Sequence, residues 1–339
     1  MRAIISSLAL FALAFSQSPN LKFEGAFSSY ILSGDNFSRK TRYDAASVIL
    51  SISKSPEPIG FTLTGGAYAL PVVGLELSST AKTTKLFSPI VLAYLEYAPS
   101  KSVSFQVGRL PTLIGYETPF SYQNPTIQRG LVWNSQPVLH HGARFIYSSE
   151  GFDLKLGIND GFYTLSKDAS LALELGLSLK PSKDAFITFN TLLPQSDAKP
   201  NDTSAPSNKR QVNLLAGFSH SNISAGLDIV FIEAPKSDKA QVPKRAFATA
   251  GAIHLTYLKD PFKLHVRLEQ LKDNSDEGHT DLIGIGDGNS GQSLSISPSY
   301  RKGNIFIKTE LSLVRAKEPF THNNKKTATR AGLEVGFLF

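Results

Sequence analysis

Apolar and polar residues alternate with a period of two through nearly the whole chain, and that alternation leaves few folds open. Leu171, Leu173, Leu175, Leu177 and Leu179 are interleaved with Ala172, Glu174, Gly176, Ser178 and Lys180. Phe152, Leu154, Leu156 and Ile158 are interleaved with Asp153, Lys155, Gly157 and Asn159; Phe262, Leu264, Val266 and Leu268 with Lys263, His265, Arg267 and Glu269. Successive side chains of a strand point to opposite faces, so each segment reads as a strand with one apolar and one polar face. A soluble sandwich would need a second sheet against every apolar face. Of 339 residues, 41% are hydrophobic, below the about 45–50% of globular domains and too few for so many strands. A closed barrel with lipid outside and water inside satisfies the same alternation, and folds around water instead of a core.

The connections decide more than the strands, because short and long ones take turns. Tight turns fall at Ser55-Pro56-Glu57-Pro58, Pro99-Ser100-Lys101, Ser148-Ser149-Glu150-Gly151, Pro181-Ser182-Lys183-Asp184, His220-Ser221-Asn222, Lys259-Asp260-Pro261 and Arg301-Lys302-Gly303-Asn304. Long polar stretches, rich in Gly, Pro, Asn, Asp and Lys, lie at 33–42, 71–85, 111–137, 159–170, 194–210, 233–245, 272–291 and 315–327. Seven tight turns and eight long loops imply about sixteen strands, with short periplasmic turns and longer outer loops. The expected fold is therefore all-β, a transmembrane up-and-down antiparallel β-barrel of about sixteen strands, wide enough for an aqueous channel. Tyr97, Tyr147, Phe152, Phe218, Tyr257, Phe262 and Tyr300 stand beside the tight turns in the outward phase of their strands, where a girdle at headgroup level belongs.

Both ends carry signals. Arg2 precedes the apolar run Ala3 to Phe15, and Ala14-Phe15-Ser16 puts small residues before Gln17. This reads as a cleaved secretory signal over 1–16, leaving 17–339 as a single barrel domain. No later stretch reaches the roughly 18 apolar residues of a spanning helix. In the last strand Ala331, Leu333, Val335, Phe337 and Phe339 share one face. An amphipathic final strand ending in Phe resembles the signal read by the barrel assembly machinery, with Phe337 and Phe339 as its residues. The expected location is the bacterial outer membrane, among its lipid and lipopolysaccharide.

Other chemistry is excluded or weak. The chain has no Cys, which removes disulfides, thiolate metal sites and a thiol nucleophile. The formal charge is +7, but the basic residues are scattered and the densest groups, 39–42 and 244–245, fall in loops, so nucleic acid is not an expected partner. Gly286-Asp287-Gly288-Asn289-Ser290-Gly291 matches a dinucleotide-binding pattern by letter, yet a strand follows it where a helix is required. His140 and His141 are neighbours on a strand and point apart, and His265 has no ligand partner at metal-binding spacing. No strand presents a nucleophile, a base and an orienting group together. Neither an enzyme nor a cofactor or metal is expected.

The stretch Val107-Gly108-Arg109-Leu110-Pro111-Thr112, then Ile114-Gly115-Tyr116-Glu117, Asn124-Pro125 and Arg129-Gly130, resembles the OmpL-like β-barrel porins, most clearly over 103–145. The whole-length pattern is also similar to general and phosphate-selective porins, whose third outer loop folds inward and narrows the pore. The resemblance implies that 111–137, the third and longest outer loop, constricts a channel, and that porins of this size are often homotrimers. Candidate constriction residues are Arg109, Tyr116, Glu117, Phe120, Tyr122, Arg129 and Arg144. The acidic cluster of general porins is missing: the loop offers Glu117, with Arg129 as its base, so narrowing by Tyr116, Phe120 and Tyr122 is as good an expectation as narrowing by charge.

By strand phase, Arg144, Lys155, Lys180, Lys263, Arg267, Lys308 and Arg330 face inward, against Glu96, Asp153, Glu174, Asp228, Glu269, Glu310 and Glu334. A ring of one sign would filter ions. This mixed set reads instead as cross-strand pairs on the wet face, and with Arg109 and Arg129 near the constriction it implies weak, slightly anionic selectivity. The functional expectation is passive diffusion of small hydrophilic solutes or ions. The alternative is a barrel whose outer loops bind a partner or surface, the pore being incidental.

Overall fold

The computed structural model describes residues 21–35, 41–162, 171–198, 206–274 and 280–339; the expected signal at 1–16 lies outside the described residues. Sixteen strands run through them. The first eight are β1 (Leu21–Gly34), β2 (Thr41–Lys54), β3 (Ile59–Tyr68), β4 (Ile90–Tyr97), β5 (Val103–Pro111), β6 (Leu139–Ser148), β7 (Phe152–Asn159) and β8 (Ala172–Ser182). The second eight are β9 (Ala185–Pro194), β10 (Arg210–His220), β11 (Ile223–Ala234), β12 (Ala246–Lys259), β13 (Phe262–Asp273), β14 (Ser290–Lys302), β15 (Ile305–Ala316) and β16 (Thr327–Leu338). Each strand pairs antiparallel with the next. The ring closes where β1 meets β16, with Ala26 opposite Leu338 and Gly34 opposite Arg330. No strand edge is left to template aggregation.

All seven tight turns lie at one end, and the strand ends that the eight long connections join lie at the other. The long ones are L1 (35–40), L2 (69–89), L3 (112–138), L4 (160–171), L5 (195–209), L6 (235–245), L7 (274–289) and L8 (317–326). L3 starts one residue later than its sequence estimate because Pro111 still pairs with Leu139. The period-2 pattern gave no hint of helix inside the loops. L2 holds α1 (Thr80–Phe87), whose Ser79 side chain accepts from the Lys82 amide at 3.2 Å, an ordinary N-cap. L3 holds a 3-10 turn (Ser121–Gln123) and the single turn α2 (Leu131–Asn134).

The outward phase carries the apolar band, as at Leu173, Phe231 and Leu311. The aromatics beside the tight turns face outward, and two pairs of them meet, Tyr147 with Phe152 at 5.7 Å and Phe262 with Tyr300 at 5.2 Å. That places the rings in one belt at the turn end.

The lumen departs from the water-filled expectation. Its outer half contains a dry core: Val72 and Val73 of L2, Leu131, Val132 and Trp133 of L3, Ala240 and Val242 of L6, and Leu282, Ile283 and Ile285 of L7. They pack on inward residues of the wall, among them Val230, Ile232 and Leu271. In the outer half of β12 the inward positions are Ala246, Ala248, Ala250 and Ala252, all buried. Small side chains there leave room for loop side chains to enter, and close packing of apolar atoms replaces water.

Candidate functional site

L3 leaves β5 and crosses the lumen, and its backbone is held by side chains from far around the wall. Asn213 of β10 accepts the Gly115 amide at 3.0 Å, and Asp228 of β11 accepts the Tyr116 amide at 3.0 Å and Gln136 Nε2 at 3.0 Å. Glu269 of β13 accepts the Leu131 and Val132 amides at 3.1 and 2.9 Å, opening α2. Glu310 of β15 accepts the Ile127 and Gln128 amides at 2.6 and 2.9 Å. Glu334 of β16 accepts the Ser121 hydroxyl at 2.7 Å, while the Lys308 ammonium donates to the Asn124 carbonyl at 2.9 Å. Hydrogen bonds with one ionised partner are about twice as strong as neutral ones, and these are shielded from water. The lumen carboxylates therefore serve mainly as seats for L3. Among cross-strand pairs, Lys308 and Glu334 stand directly opposite at 3.4 Å.

Tyr116 lies with its ring 4.4 Å from the His254 ring, in the same stack as His265, and its hydroxyl end rests where Gly226 has no side chain. A Cβ there would come within 2.4 Å of the tyrosine ring. Glu117 bridges L3 to itself and to the wall: Oε2 accepts the Gly130 amide at 2.7 Å and Oε1 meets Arg267 at 2.5 Å. Phe120 is buried, edge-on to Tyr68 at 5.5 Å and stacked on Tyr122 at 5.7 Å.

The three arginines are occupied. Arg129 has no exposed surface; its guanidinium donates to the carbonyls of Ile127 and Ala69, and its backbone forms a bridge to Val72 of L2. Arg109 donates to the Phe87 carbonyl at the end of α1, and Arg144 to Glu174 at 2.5 Å and the Pro111 carbonyl at 2.8 Å. Buried guanidiniums favour such fixed, multiply bonded settings. Phe337 and Phe339 face outward at the seam, where Phe339 stacks on Phe27 at 5.4 Å and exchanges two backbone hydrogen bonds with Gly25.

Inward of L3 lies a cavity of about 1400 Å³, lined by Tyr116, Glu117, Phe120 and Tyr122 on the loop side and by His254, Lys263, His265 and Arg301 on the wall. A second cavity of about 600 Å³ lies beside it, near Lys180, Asp184 and Phe186, and Tyr116 borders both. Among the described residues, Lys263 and Arg301 have no carboxylate at ion-pair distance. Sequence reasoning placed Lys263 inward but could not see that it has no carboxylate partner while Arg109, Arg129 and Arg144 are consumed.

The sequence matches the family model described as "Putative beta-barrel porin-2, OmpL-like" over residues 20–339. No curated protein matches it. Among solved structures, the anion-selective porin of Comamonas acidovorans is similar, with TM-score 0.64, 8% identity, and 94% of this chain and 99% of that one covered. The outer-membrane OmpT of Vibrio cholerae has TM-score 0.63 at 10% identity, covering 94% and 97%. Its in-vitro folded trimer form has TM-score 0.58 at 11% identity, covering 94% and 99%. At such identities the likeness is one of fold.

Proposed function

The chain belongs to the OmpL-like β-barrel porins, and from that premise we propose that it is a passive diffusion channel for small hydrophilic solutes, with L3 as the constriction and a slight preference for anions. The observation that carries this reading is the bonding of L3 across the lumen to Asn213, Asp228, Glu269, Glu310 and Glu334. A loop seated on that many strands sets a fixed aperture at its inner surface. In this reading the anionic tilt comes from Lys263 and Arg301 on the inner cavity, because Arg109, Arg129 and Arg144 are tied to carbonyls and a carboxylate. The assembly we propose is a homotrimer in the outer membrane, the form in which one neighbour was solved.

The test is single-channel conductance of refolded protein in a planar bilayer, with reversal potential under a salt gradient. Lys263→Glu with Arg301→Glu is expected to move the reversal potential toward cation preference. An unchanged potential in the double variant would remove these residues from selectivity. Folded, inserted protein that never conducts, as wild type or in any loop variant, would remove the channel reading itself.

A further inference from the structure

Each of the sixteen strands presents at least one buried inward side chain in its outer half. Examples spaced around the ring are Leu32, Tyr68, His140, Leu192, Ile232, Leu271 and Val314. An open aqueous lumen would wet these positions. Here L2, L3, L6 and L7 cover them, with Gly161 and Phe162 of L4 over His140 and Leu192, and the dry cluster joins L2, L3, L6 and L7 to the wall. An apolar constriction of this kind excludes water and blocks ions by dewetting.

The covering loops are not attached alike. L3 is bonded by carboxylates from several strands, as above. L2 is bonded by Arg330, which donates to the Val72 carbonyl at 2.9 Å and to the Leu75 carbonyl, and by Asp44, which accepts the Thr80 amide at 2.8 Å. The segment 281–286 of L7 differs. Asp281 spends its carboxylate on the amides of its own turn, Ile283, Gly284 and Gly286, at 2.7–3.0 Å. Among the described residues, two side-chain hydrogen bonds reach this segment from other loops: Asn134 to the Ile283 carbonyl and Lys209 to the Leu282 carbonyl, each 3.4 Å. Asn289, at the root of the segment, donates its Nδ2 to the Ile285 carbonyl at 2.7 Å, and Leu282, Ile283 and Ile285 sit in the dry cluster. Its own carboxylate, Asp281, is satisfied within the turn, and the buried group it would uncover is Lys209, whose ammonium loses the Leu282 carbonyl and gains water as the segment lifts. Gly284 and Gly286 sit at φ +83° and +104°, a conformation open to glycine at little cost.

We propose that the outer half of this barrel is a removable apolar plug, that the channel rests shut, and that it conducts when segment 281–286 of L7 lifts while L2 and L3 stay seated. This rests on the channel reading above. It also separates two tasks: L3 sets what passes and L7 sets when.

The experiment uses bilayer recordings of the full protein and three variants, with folding checked by heat-modifiable gel mobility. The first replaces 281–286 by a Gly-Ser-Gly link. The second, Ile283→Ser with Ile285→Ser, keeps the loop length in case shortening impairs folding. The third, Asn134→Cys with Gly284→Cys, uses positions where a Cβ on Gly284 would stand 3.5 Å from Asn134 Cγ; with no other Cys in the chain, the pair has no competitor. Time-averaged conductance is expected to rise at least tenfold in the first two over wild type. The oxidised third variant is expected to be silent and to recover on reduction. Wild type that conducts steadily, at the level of the loop variants and of the oxidised pair, would overturn the plug and leave the channel reading intact. Silence of all four folded proteins would overturn both.

Discussion

Arg267 on β13 and Glu117 on L3 stand 150 positions apart in sequence and 2.5 Å apart in space, with the arginine wholly buried and the carboxylate nearly so. The pair is one end of a chain of charges in which Arg267 also meets Glu269 at 3.4 Å, and Glu269 holds the start of α2. Breaking a buried pair by removing one partner typically costs about 3–5 kcal/mol. Because Arg267 keeps Glu269, Glu117→Gln should fall at the low end. Its signature is local: amide exchange at Gly130, whose N–H is bonded to Glu117, should quicken by well over tenfold while β10 and β12 are unchanged.

Glu310 offers a second point of release. Two backbone amides and Gln128 Nε2 converge on its carboxylate, and glutamine can accept on one oxygen only. Hydrogen bonds to a charged group contribute about 1.5–3 kcal/mol, so Glu310→Gln should lower the unfolding midpoint and raise current noise. A loss confined to the midpoint, with noise unchanged, would show that L3 keeps its seat.

Gly130 is tied to its residue type by contact. A Cβ there would stand 2.1 Å from Glu269 Oε1, and that carboxylate is also bonded to Ser293 and the α2 amides. Overpacking usually costs about 1–3 kcal/mol. Gly130→Ala is expected to lose most of what Glu269→Gln loses, and the two together little more, which a double-mutant cycle by thermal unfolding would measure.

Lys209, at the end of L5, is 2% exposed, with its ammonium over the Phe162 ring at 4.4 Å and under the Leu282 carbonyl. Burial pulls its pKa down from 10.5 to about 7, Asp281 opposing. The packed loops thus bind fewer protons than the unpacked ones, and the linkage sign follows. The stability Lys209 contributes is complete above pH 10.5 and is lost as pH falls through 7. Proteolysis within L7 should be faster at pH 7 than at pH 10, relative to Lys209→Met, in which that pH dependence should vanish. Equal ratios at both pH values would count against it.

The wall of this molecule was legible because lipid and lumen impose one rule on every strand. Leu171 to Lys180 and Phe262 to Glu269 state that rule without ambiguity, and the tight turns mark where it resets. The inner architecture was not legible, for a physical reason. Asp228, Glu269, Glu310 and Glu334 show in sequence only that they face inward; which backbone amide each accepts depends on a loop arriving from over a hundred positions away. The same holds for Arg129, expected near the constriction with a slight tilt toward anions, whose guanidinium donates to carbonyls. One signal did exist for the dry core. The run Ala246, Ala248, Ala250, Ala252 puts alanine at four successive inward positions in the outer half of β12, and small residues facing a lumen mean that something else fills it.

The hydrogen bonds between Gly25 and Phe339 have a consequence for closure. The sheet's first and last strands are neighbours, so no intermediate length of this polypeptide can close the ring. A sheet that lacks either β1 or β16 carries two unpaired margins, and such margins invite pairing with other chains. Fifteen strands leave an open flank, and the sixteenth removes both margins at once. Sealing is therefore all-or-none, decided by the two strands of the sheet that lie farthest apart in sequence.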